Sequence, residues 1–536
     1  MQSIFLYDTT LRDGTQGESI SFTAEDKVKI ALKLDEMGIH YIEGGWPGSN
    51  PRDLRFFDMI QRETFQNAKI AAFGATRKPG IAPEDDNNLE KLILTKTPVV
   101  TIFGKSWELH VEKIMEIGLA ENLAMIGETV DFLKSHNREV IYDAEHFFDG
   151  YKANKAYALE TLATALKNGA DFLVLCDTNG GTLHFEVENI IKQVKEELTQ
   201  KNGFGFKRAE IKIGIHTHND CGLAVANTIS AVKVGAIMVH GTVNGYGERC
   251  GNADLTSVIP ILKNKMDLEC ISWEKLSKLK TLSRFISETA NMIPVRSRPF
   301  VGKSAFAHKG GIHVNAIMKT PMAYEHIDPK IVGNKRRVLV SDLAGKSNVE
   351  YKANELNIEL GANGYDSRKI VSEIKKLEEK GYQFDTADGS LKILIEKFTS
   401  QFKPAFILES FRISIEKDMD GPCFAHAIIK ISVDGRHEMT AAEGNGPVSA
   451  LDNALRKALG KFFPDLETMH LVDFKVRVID GREGTAARVR VLIDSRDKNR
   501  VWTTIGVSED IIEASWQALT DSFQYKLALP QTKNQL

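Results

Sequence analysis

The chain has 536 residues, of which 42% are hydrophobic and 26% charged, and its formal net charge is -3. This length exceeds one ordinary core and suggests two or three units, one of which could be a barrel of about 250 residues. The small net charge gives no general affinity for nucleic acid or anionic membranes, and no apolar run of about 18 residues predicts a spanning helix. We therefore expect small-molecule substrates.

The N-terminal stretch MQSIFLYDTTLRDG enters a strand-like pattern almost at once and lacks the order of a signal or transit peptide. The chain contains five cysteines, an odd number without CxxC spacing. This pattern argues against a disulfide framework and against a thiolate zinc site. We therefore expect a cytoplasmic protein.

Up to about residue 250, short apolar runs alternate with longer amphipathic stretches. The first of these, AEDKVKIALKLDEMG, has Thr23 as its predicted N-cap and Gly38 just past its end. The alternation predicts an α/β fold, a (β/α)8 TIM barrel over residues 1–275, with catalytic groups at the ends of the strands. The predicted strands are IFLYDT (4–9), YIEGG (41–45), KIAAFG (69–74), VVTIFG (99–104), EVIYDAE (139–145), FLVLCDT (172–178), KIGIHTH (212–218) and MVHGTV (238–243).

Two further regions follow. Residues 276–404 are predicted to form helical linker subdomains, because helix-like segments such as WEKLSKLKTLSRFISETANM replace the strand pattern. Residues 405–536 contain an internal repeat, in which each half has the order strand, strand, strand, helix. This repeat predicts a pseudo-symmetric α+β domain of two βββα units. The turns EGNGP (443–447) and DGREGT (480–485) are either ligand loops or plain tight turns.

The stretch IHTHNDCG (215–222) places two histidines at the end of the seventh predicted strand. Residues two apart in a strand share a face, so His216 and His218 point into one space while Thr217 points away. An isolated pair of this kind is more often a pair of satisfied core histidines. Here Asp13 follows the first strand, which is close to the seventh in a closed barrel, and completes a two-histidine, one-carboxylate set. Such ligands suit Mn, Mg, Co or Zn.

The segment NGYGERCGNADL (244–255) brings polar residues to the same rim. Asn252 could supply a further oxygen ligand there, whereas the glycines of this segment are alternatively explained by an anion-binding turn or by simple loop punctuation. Arg12, next to Asp13, could stabilise the charge that develops when a carbonyl oxygen becomes an enolate or alkoxide. A surface salt bridge is the alternative interpretation of Arg12.

Four segments together resemble one family over nearly the whole chain: LYDTTLRDGTQGE, IHTHNDCGLAVAN, GERCGNADL and GNGPVSALDNAL. The family is that of the 2-isopropylmalate, homocitrate and citramalate synthases, and YIEGGWPGSNPRD and AEHFFDGYKAN are most similar to its citramalate-forming members. The resemblance implies a transferase that condenses acetyl-CoA with pyruvate to give (R)-citramalate and free CoA, a step toward isoleucine. It also implies a homodimer and feedback inhibition by isoleucine through the C-terminal repeat.

The resemblance further implies roles for individual residues. Glu145 and His308 are alternative candidates for proton transfer, and the helical region of relatives often serves the active site of the partner subunit. The implied roles are metal ligation by Asp13, His216, His218 and Asn252, catalysis by Arg12, Glu145, His308 and Tyr324, and keto-acid binding by Arg12, Glu145 and Thr178.

Other functions stay open. The same chemistry with 2-oxoisovalerate would give 2-isopropylmalate, and with 2-oxoglutarate homocitrate, a choice that depends on pocket volume. A lyase of the hydroxymethylglutaryl type would share the barrel and the ligand set, but the C-terminal repeat argues against it. An amino-acid sensor with an inert barrel is disfavoured because Asp13, His216, His218 and Asn252 are all present.

Overall fold

The computed structural model describes residues 3–200, 204–358, 367–399, 402–417, 419, 421–479 and 487–529. The chain forms two compact units, each described by itself: Met1–Phe306 with Ile327–Lys335, and Ala307–His326 with Arg336–Leu536. The three-part division at residues 275 and 404 stays a prediction. Among the described residues, no helix has both the length and the apolar character needed to cross a membrane.

Eight parallel strands in the first unit form a closed barrel in sequence order, and β1 pairs with both β2 and β8. The predicted TIM barrel is therefore confirmed, and each strand overlaps the apolar run predicted for it. The strands are β1 Phe5–Asp8, β2 Tyr41–Gly45, β3 Lys69–Ala75, β4 Val99–Lys105, β5 Glu139–Glu145, β6 Phe172–Asp177, β7 Ile213–Thr217 and β8 Met238–Gly241.

Helices follow the strands around the barrel. The ends of the first helix match the prediction: the Thr23 hydroxyl accepts a hydrogen bond from the Asp26 backbone N–H (3.1 Å), and Gly38 adopts a left-handed φ of 83°. The helices are α1 Ala24–Met37, α2 Pro51–Ile60, α3 Asn87–Leu94, α4 Leu119–Ser135, α5 Phe147–Ala153, α6 Lys155–Lys167, α7 His184–Thr199, α8 Ala224–Lys233, α9 Leu255–Pro260, α10 Trp273–Leu276 and α11 Leu279–Thr289.

The segment 273–292, predicted as one helix-like stretch, is divided between α10 and α11. The backbone N–H of Lys278 donates to the Lys275 carbonyl (2.9 Å), a bond to the third residue back instead of the fourth. This tighter turn ends α10 before α11 begins.

Apolar side chains fill the inside of the barrel. Tyr7, Tyr41, Val99, Phe172 and Met238 belong to this inner cluster, whereas a larger apolar cluster packs between the strands and the surrounding helices. The barrel is therefore a packed core and leaves room for chemistry only where the strands end.

The second unit contains the predicted repeat. Two three-stranded antiparallel sheets, β11–β13 and β14–β16, are each followed by a helix, which confirms the two βββα units. The turn at 443–447 links β13 to α16, whereas the turn predicted at 480–485 lies outside the described residues. The elements are α12 Gly311–Lys319, α13 Lys346–Glu355, α14 Ser367–Glu379, α15 Asp388–Lys397, α16 Pro447–Leu459, α17 Ile511–Leu527, and strands β9 Ala307–His308, β10 Arg337–Val338, β11 Ile407–Lys417, β12 Cys423–Val433, β13 Arg436–Gly444, β14 His470–Val478, β15 Val489–Arg496 and β16 Val501–Ser508.

Candidate metal centre and active site

Two histidines and one aspartate meet at the carboxyl ends of the barrel strands. Nε2 of His216 lies 3.2 Å from Nε2 of His218 and 3.3 Å from Oδ2 of Asp13. Oδ2 of Asp13 lies 3.8 Å from Nε2 of His218, and all three residues are buried. One potential ligand atom from each side chain lies within 4.8 Å of the other two. The structure thus brings the predicted ligand set together.

The barrel topology explains how these three residues meet. His216 and His218 face the cluster, whereas Thr217 points away and its hydroxyl donates to the first carbonyl of α8 (3.0 Å). Asp13 begins a short 3-10 turn after β1. Since β8 pairs with both β7 and β1, closure of the barrel brings Asp13 to the two histidines.

The protonation of the cluster suits a cation. Burial raises the pKa of Asp13, but Arg12 and the two imidazoles outweigh burial, and the pKa lies well below its usual range. Burial and the neighbouring His216 lower the pKa of His218 to about 4. At neutral pH the cluster therefore offers a carboxylate and an unprotonated imidazole, the forms that coordinate metals.

Unpaired polar atoms give an independent test of fit. Within the described ranges, Oδ1 of Asp13, Nδ1 of His216 and of His218, and Oδ1 of Asn252 are buried without a hydrogen-bond partner. Asn252 bridges His218 through the backbone and uses Nδ2 to donate to the Tyr246 carbonyl (3.2 Å). Because the Nε2 atoms of His216 and His218 converge on Asp13, and the buried Oδ1 of Asp13 has no partner, these nitrogen and oxygen donors fit a divalent ion such as Mn, Mg, Co or Zn.

Arg12 is fixed beside the cluster by a buried network. Its Nε donates to Oε1 of Glu43 (2.5 Å), and its guanidinium carbon lies 3.7 Å from the centre of the Phe73 ring. Oε2 of Glu43 accepts from the Tyr7 hydroxyl (2.7 Å), which also lies 2.6 Å from the Thr101 hydroxyl. Burial lowers the pKa of Arg12, but the neighbouring carboxylates outweigh burial and raise it. Arg12 is therefore an oriented, permanent positive charge.

A cavity of about 200 Å³ contains the ligand cluster and Arg12 in its lining. Three aromatic rings form its apolar wall: Phe73 and Phe103 stack at 5.4 Å, and Trp46 meets Phe103 edge-on at 5.5 Å. The cavity therefore combines an apolar wall with charged groups, as a site for a small polar acid requires. Its other lining residues are Arg12, Asp13, Gln16, Asp143, Glu145, Cys176, Thr178, His216, His218 and Glu248.

Glu145 and Thr178 lie in this lining, as their predicted roles require. Glu145, at the end of β5, pairs with Lys105. The Thr178 hydroxyl accepts from the His146 backbone N–H (2.9 Å), and the Thr178 carbonyl accepts from Arg249 (2.7 Å). These contacts fix the loop that follows β6. The catalytic and substrate-binding roles of Glu145 and Thr178 stay predictions.

His308 and Tyr324 belong to the second unit and are described within it. Nε2 of His308 lies 3.1 Å from Oε1 of Glu325, and both carboxylate oxygens of Glu325 also accept from Arg336 (2.7 and 2.5 Å). Tyr324 is 47% exposed, and its ring stacks on His313 at 4.2 Å. The catalytic roles of His308 and Tyr324 stay predictions.

Several buried polar groups at the site have no role predicted from the sequence. Glu43 holds Arg12, and His240 lies 4.0 Å from Asp143, stacks on Tyr7 at 3.9 Å and meets His216 edge-on. Burial raises the pKa of Asp143 and lowers that of His240. The available signal was a charged or titratable residue inside an apolar run, in YIEGG, EVIYDAE and MVHGTV.

Three family models match successive parts of the chain: HMGL-like over residues 3–286, homocitrate synthase post-HMGL domain-like over 300–382, and LeuA allosteric (dimerisation) domain over 385–527. The (R)-citramalate synthases of Geobacter sulfurreducens and Aquifex aeolicus are each 52% identical to this chain, over 98% of it and 98% of their own length. The chain belongs to the citramalate synthase family.

A more distant relative bears on the choice of keto acid. The 2-isopropylmalate synthase of Methanocaldococcus jannaschii is 30% identical over 98% of this chain and 95% of its own length. Both relationships extend through the barrel and the C-terminal repeat. Over nearly the same length of this chain, the identity to the two citramalate synthases is therefore higher, 52% against 30%.

Proposed function

We propose that this protein is a citramalate synthase, which condenses acetyl-CoA with pyruvate and water to give (R)-citramalate and CoA. The observation that carries the proposal is the composition of the cavity. This cavity of about 200 Å³ is lined by Arg12, by Asp13, His216 and His218, and by an aromatic wall. The 52% identity to two citramalate synthases supports the same substrate.

Pyruvate would be held at both its ends. Its carboxylate and keto oxygens meet the polar lining, with Thr178 and Arg12 as contacts, and its methyl group meets the wall of Trp46, Phe73 and Phe103. A branched acid such as 2-oxoisovalerate needs more room at this wall. The acid 2-oxoglutarate would place a second carboxylate against apolar rings, which carries a desolvation cost.

Arg12 would stabilise the transition state. The guanidinium, fixed by Glu43, donates a hydrogen bond to the keto oxygen as negative charge develops there. A divalent ion held by Asp13, His216, His218 and Asn252 would, when bound, supply Lewis-acid polarisation of the keto group.

Proton transfer would fall to Glu145 or His308, and these alternatives stay open. The base removes a proton from the acetyl methyl group, the resulting enolate forms a carbon–carbon bond to the keto carbon, and the new alkoxide takes up a proton. Water then attacks the thioester carbonyl, and the CoA thiol leaves. Glu145 lines the cavity and forms an ion pair with Lys105.

We propose that the second unit carries regulation by isoleucine and that the enzyme is a homodimer. The match to a LeuA allosteric (dimerisation) domain over residues 385–527 supports both points. The five cysteines are free thiols, which supports a reducing compartment such as the cytoplasm. Inhibition by isoleucine with leucine as control, and mass in solution by light scattering, test the first two points.

The deciding experiment measures release of the CoA thiol from acetyl-CoA. Pyruvate, 2-oxobutanoate, 2-oxoisovalerate and 2-oxoglutarate are compared with Mn or Mg, each with and without a chelator. We expect pyruvate to have the highest kcat/KM and the chelator to abolish turnover. A preference for 2-oxoisovalerate would overturn the substrate assignment. Turnover that is unaffected by the chelator would overturn the requirement for a divalent metal ion.

A further inference from the structure

The indole of Trp46 is anchored from behind the cavity wall. Its Nε1 donates a hydrogen bond to Oδ1 of Asn88 (2.7 Å), a residue of α3 that does not line the cavity. The Trp46 backbone N–H donates to Oδ2 of Asp53 (2.9 Å), whose other oxygen binds the buried Lys27 ammonium (2.5 Å). Both the main chain and the side chain of Trp46 are therefore fixed.

Asn88 is itself held rigidly. Its Nδ2 donates to the Ala75 carbonyl at the end of β3 (3.0 Å). Its backbone N–H donates to Oδ1 of Asp86, the N-cap of α3 (2.8 Å). The amide therefore has one orientation, with its oxygen toward the indole, since a flipped amide would lose both side-chain hydrogen bonds.

Two glycines leave the space in which the amide and the indole meet. A Cβ at Gly48 would lie 2.5 Å from Oδ1 of Asn88 and 3.0 Å from Nε1 of Trp46. A Cβ at Gly74 would lie 2.8 Å from Leu92 and 3.3 Å from Nδ2 of Asn88. The absence of a side chain at Gly48 and Gly74 therefore leaves the space that the hydrogen bond between Trp46 and Asn88 requires.

The anchored indole sets the position of the wall. Trp46 meets Phe73 and Phe103 edge-on, with ring centroids 6.0 and 5.5 Å apart and interplanar angles of 84° and 81°. Such contacts depend on orientation, so a rotated indole would change the apolar side of the cavity. The guanidinium of Arg12 packs on Phe73, so the wall also contacts a charged group of the site.

We propose that Asn88 is a positioning residue for keto-acid specificity: by holding the Trp46 indole, it keeps the cavity wall close enough to accept a methyl group and to exclude longer side chains. This inference rests on the proposed function. One extra methylene in an apolar pocket typically changes kcat/KM by about 10–200-fold. Release of the indole should remove much of that discrimination.

The test compares kcat/KM for pyruvate and 2-oxobutanoate in the metal-loaded full-length enzyme. Asn88→Leu, which removes the acceptor at similar volume, is expected to lower the pyruvate preference about tenfold, chiefly through KM. Trp46→Phe removes the donor, and Asn87→Leu, at an exposed neighbouring position of α3, serves as the matched control. Since both variants break the same hydrogen bond, the double variant should lose no more selectivity than the more affected single variant.

Several outcomes would overturn the inference. One is an Asn88→Leu enzyme that folds and keeps the wild-type preference, and another is strictly additive loss in the double variant. If Asn88→Leu fails to fold, Gly48→Ala, which inserts a methyl group at the same hydrogen bond, must show the loss of preference. A wild-type enzyme that does not use pyruvate overturns the proposed function instead, so the two failures are distinguishable.

Discussion

The Nε of Arg12 donates to Oε1 of Glu43 over 2.5 Å, and Glu43 is fully buried. Since Nε is committed to this bond, a substrate oxygen would meet the terminal nitrogens of the guanidinium. The Tyr7 hydroxyl holds the second oxygen of Glu43 at 2.7 Å. The orientation of Arg12 thus depends on a carboxylate that lies outside the cavity lining.

Glu43→Gln should lower turnover while metal binding is retained. The amide keeps a similar shape but loses the charge that fixes Arg12, and a misplaced catalytic group costs about 100-fold in rate. We expect kcat with pyruvate to fall by roughly this factor. Steady-state kinetics at saturating Mn and calorimetric titration of Mn measure the two quantities separately.

Glu139→Gln is the matched control for that change. Glu139 also accepts from a tyrosine hydroxyl, that of Tyr41 (2.7 Å), and from Lys69 (2.5 Å), but it lies at the start of β5. Its loss should leave kcat unchanged. Equal effects of the two substitutions would show that Glu43 acts through stability and not through Arg12.

His218→Ala should abolish stabilisation by metal. An ion that binds only the folded protein stabilises it by about 2.7 kcal/mol at 100 times its dissociation constant. We expect Mn to raise the unfolding temperature of the wild type and to leave that of His218→Ala unchanged. His136→Ala, at an exposed position, is the control. A full Mn-dependent shift in His218→Ala would contradict the assignment of this ligand.

The barrel and the convergence of Asp13, His216 and His218 could be predicted, because they depend on the two-residue repeat along a strand and on the order of the strands. Alternation along β7 places His216 and His218 on one face, and barrel closure brings Asp13 to them. The partners of Glu43 and Trp46 could not be predicted in this way. The contact of Glu43 with Arg12 joins residues 31 positions apart, and that of Trp46 with Asn88 joins residues 42 positions apart. The geometry of such distant side-chain contacts is not specified by any local repeat in the sequence.

Glu325→Gln should destabilise the second unit. The buried carboxylate binds Arg336 through both oxygens and lies 3.1 Å from Nε2 of His308. Hydrogen bonds to charged groups contribute about 1.5–3 kcal/mol each, so the variant should unfold more easily by about 2 kcal/mol. Chemical unfolding measures the loss. The exposed Glu416→Gln is the control, and equal stability of the two variants would contradict the prediction.

Asp8→Asn should alter how stability depends on pH. Asp8 is fully buried and accepts from the backbone N–H and the hydroxyl of Thr10, both at 2.9 Å. Burial raises its pKa to about 7, although the bonds from Thr10 oppose this shift. A raised carboxyl pKa means that the contribution of Asp8 is fully present below about pH 4, the pKa of an unfolded aspartate, and is lost as the pH rises through 7.

The amide of Asp8→Asn does not ionise, so the variant should gain stability relative to the wild type as the pH rises from 4 to 7. The gain should not exceed about 1.4 kcal/mol per pH unit and should level off above pH 7. Urea unfolding at half-unit steps between pH 4 and pH 8 measures it, with the exposed Asp131→Asn as control. Parallel curves of stability against pH for the wild type and Asp8→Asn would contradict the prediction. They would mean that Asp8 ionises in the folded protein as readily as in the unfolded chain, whereas its complete burial outweighs the hydrogen bonds from Thr10 and favours the protonated form.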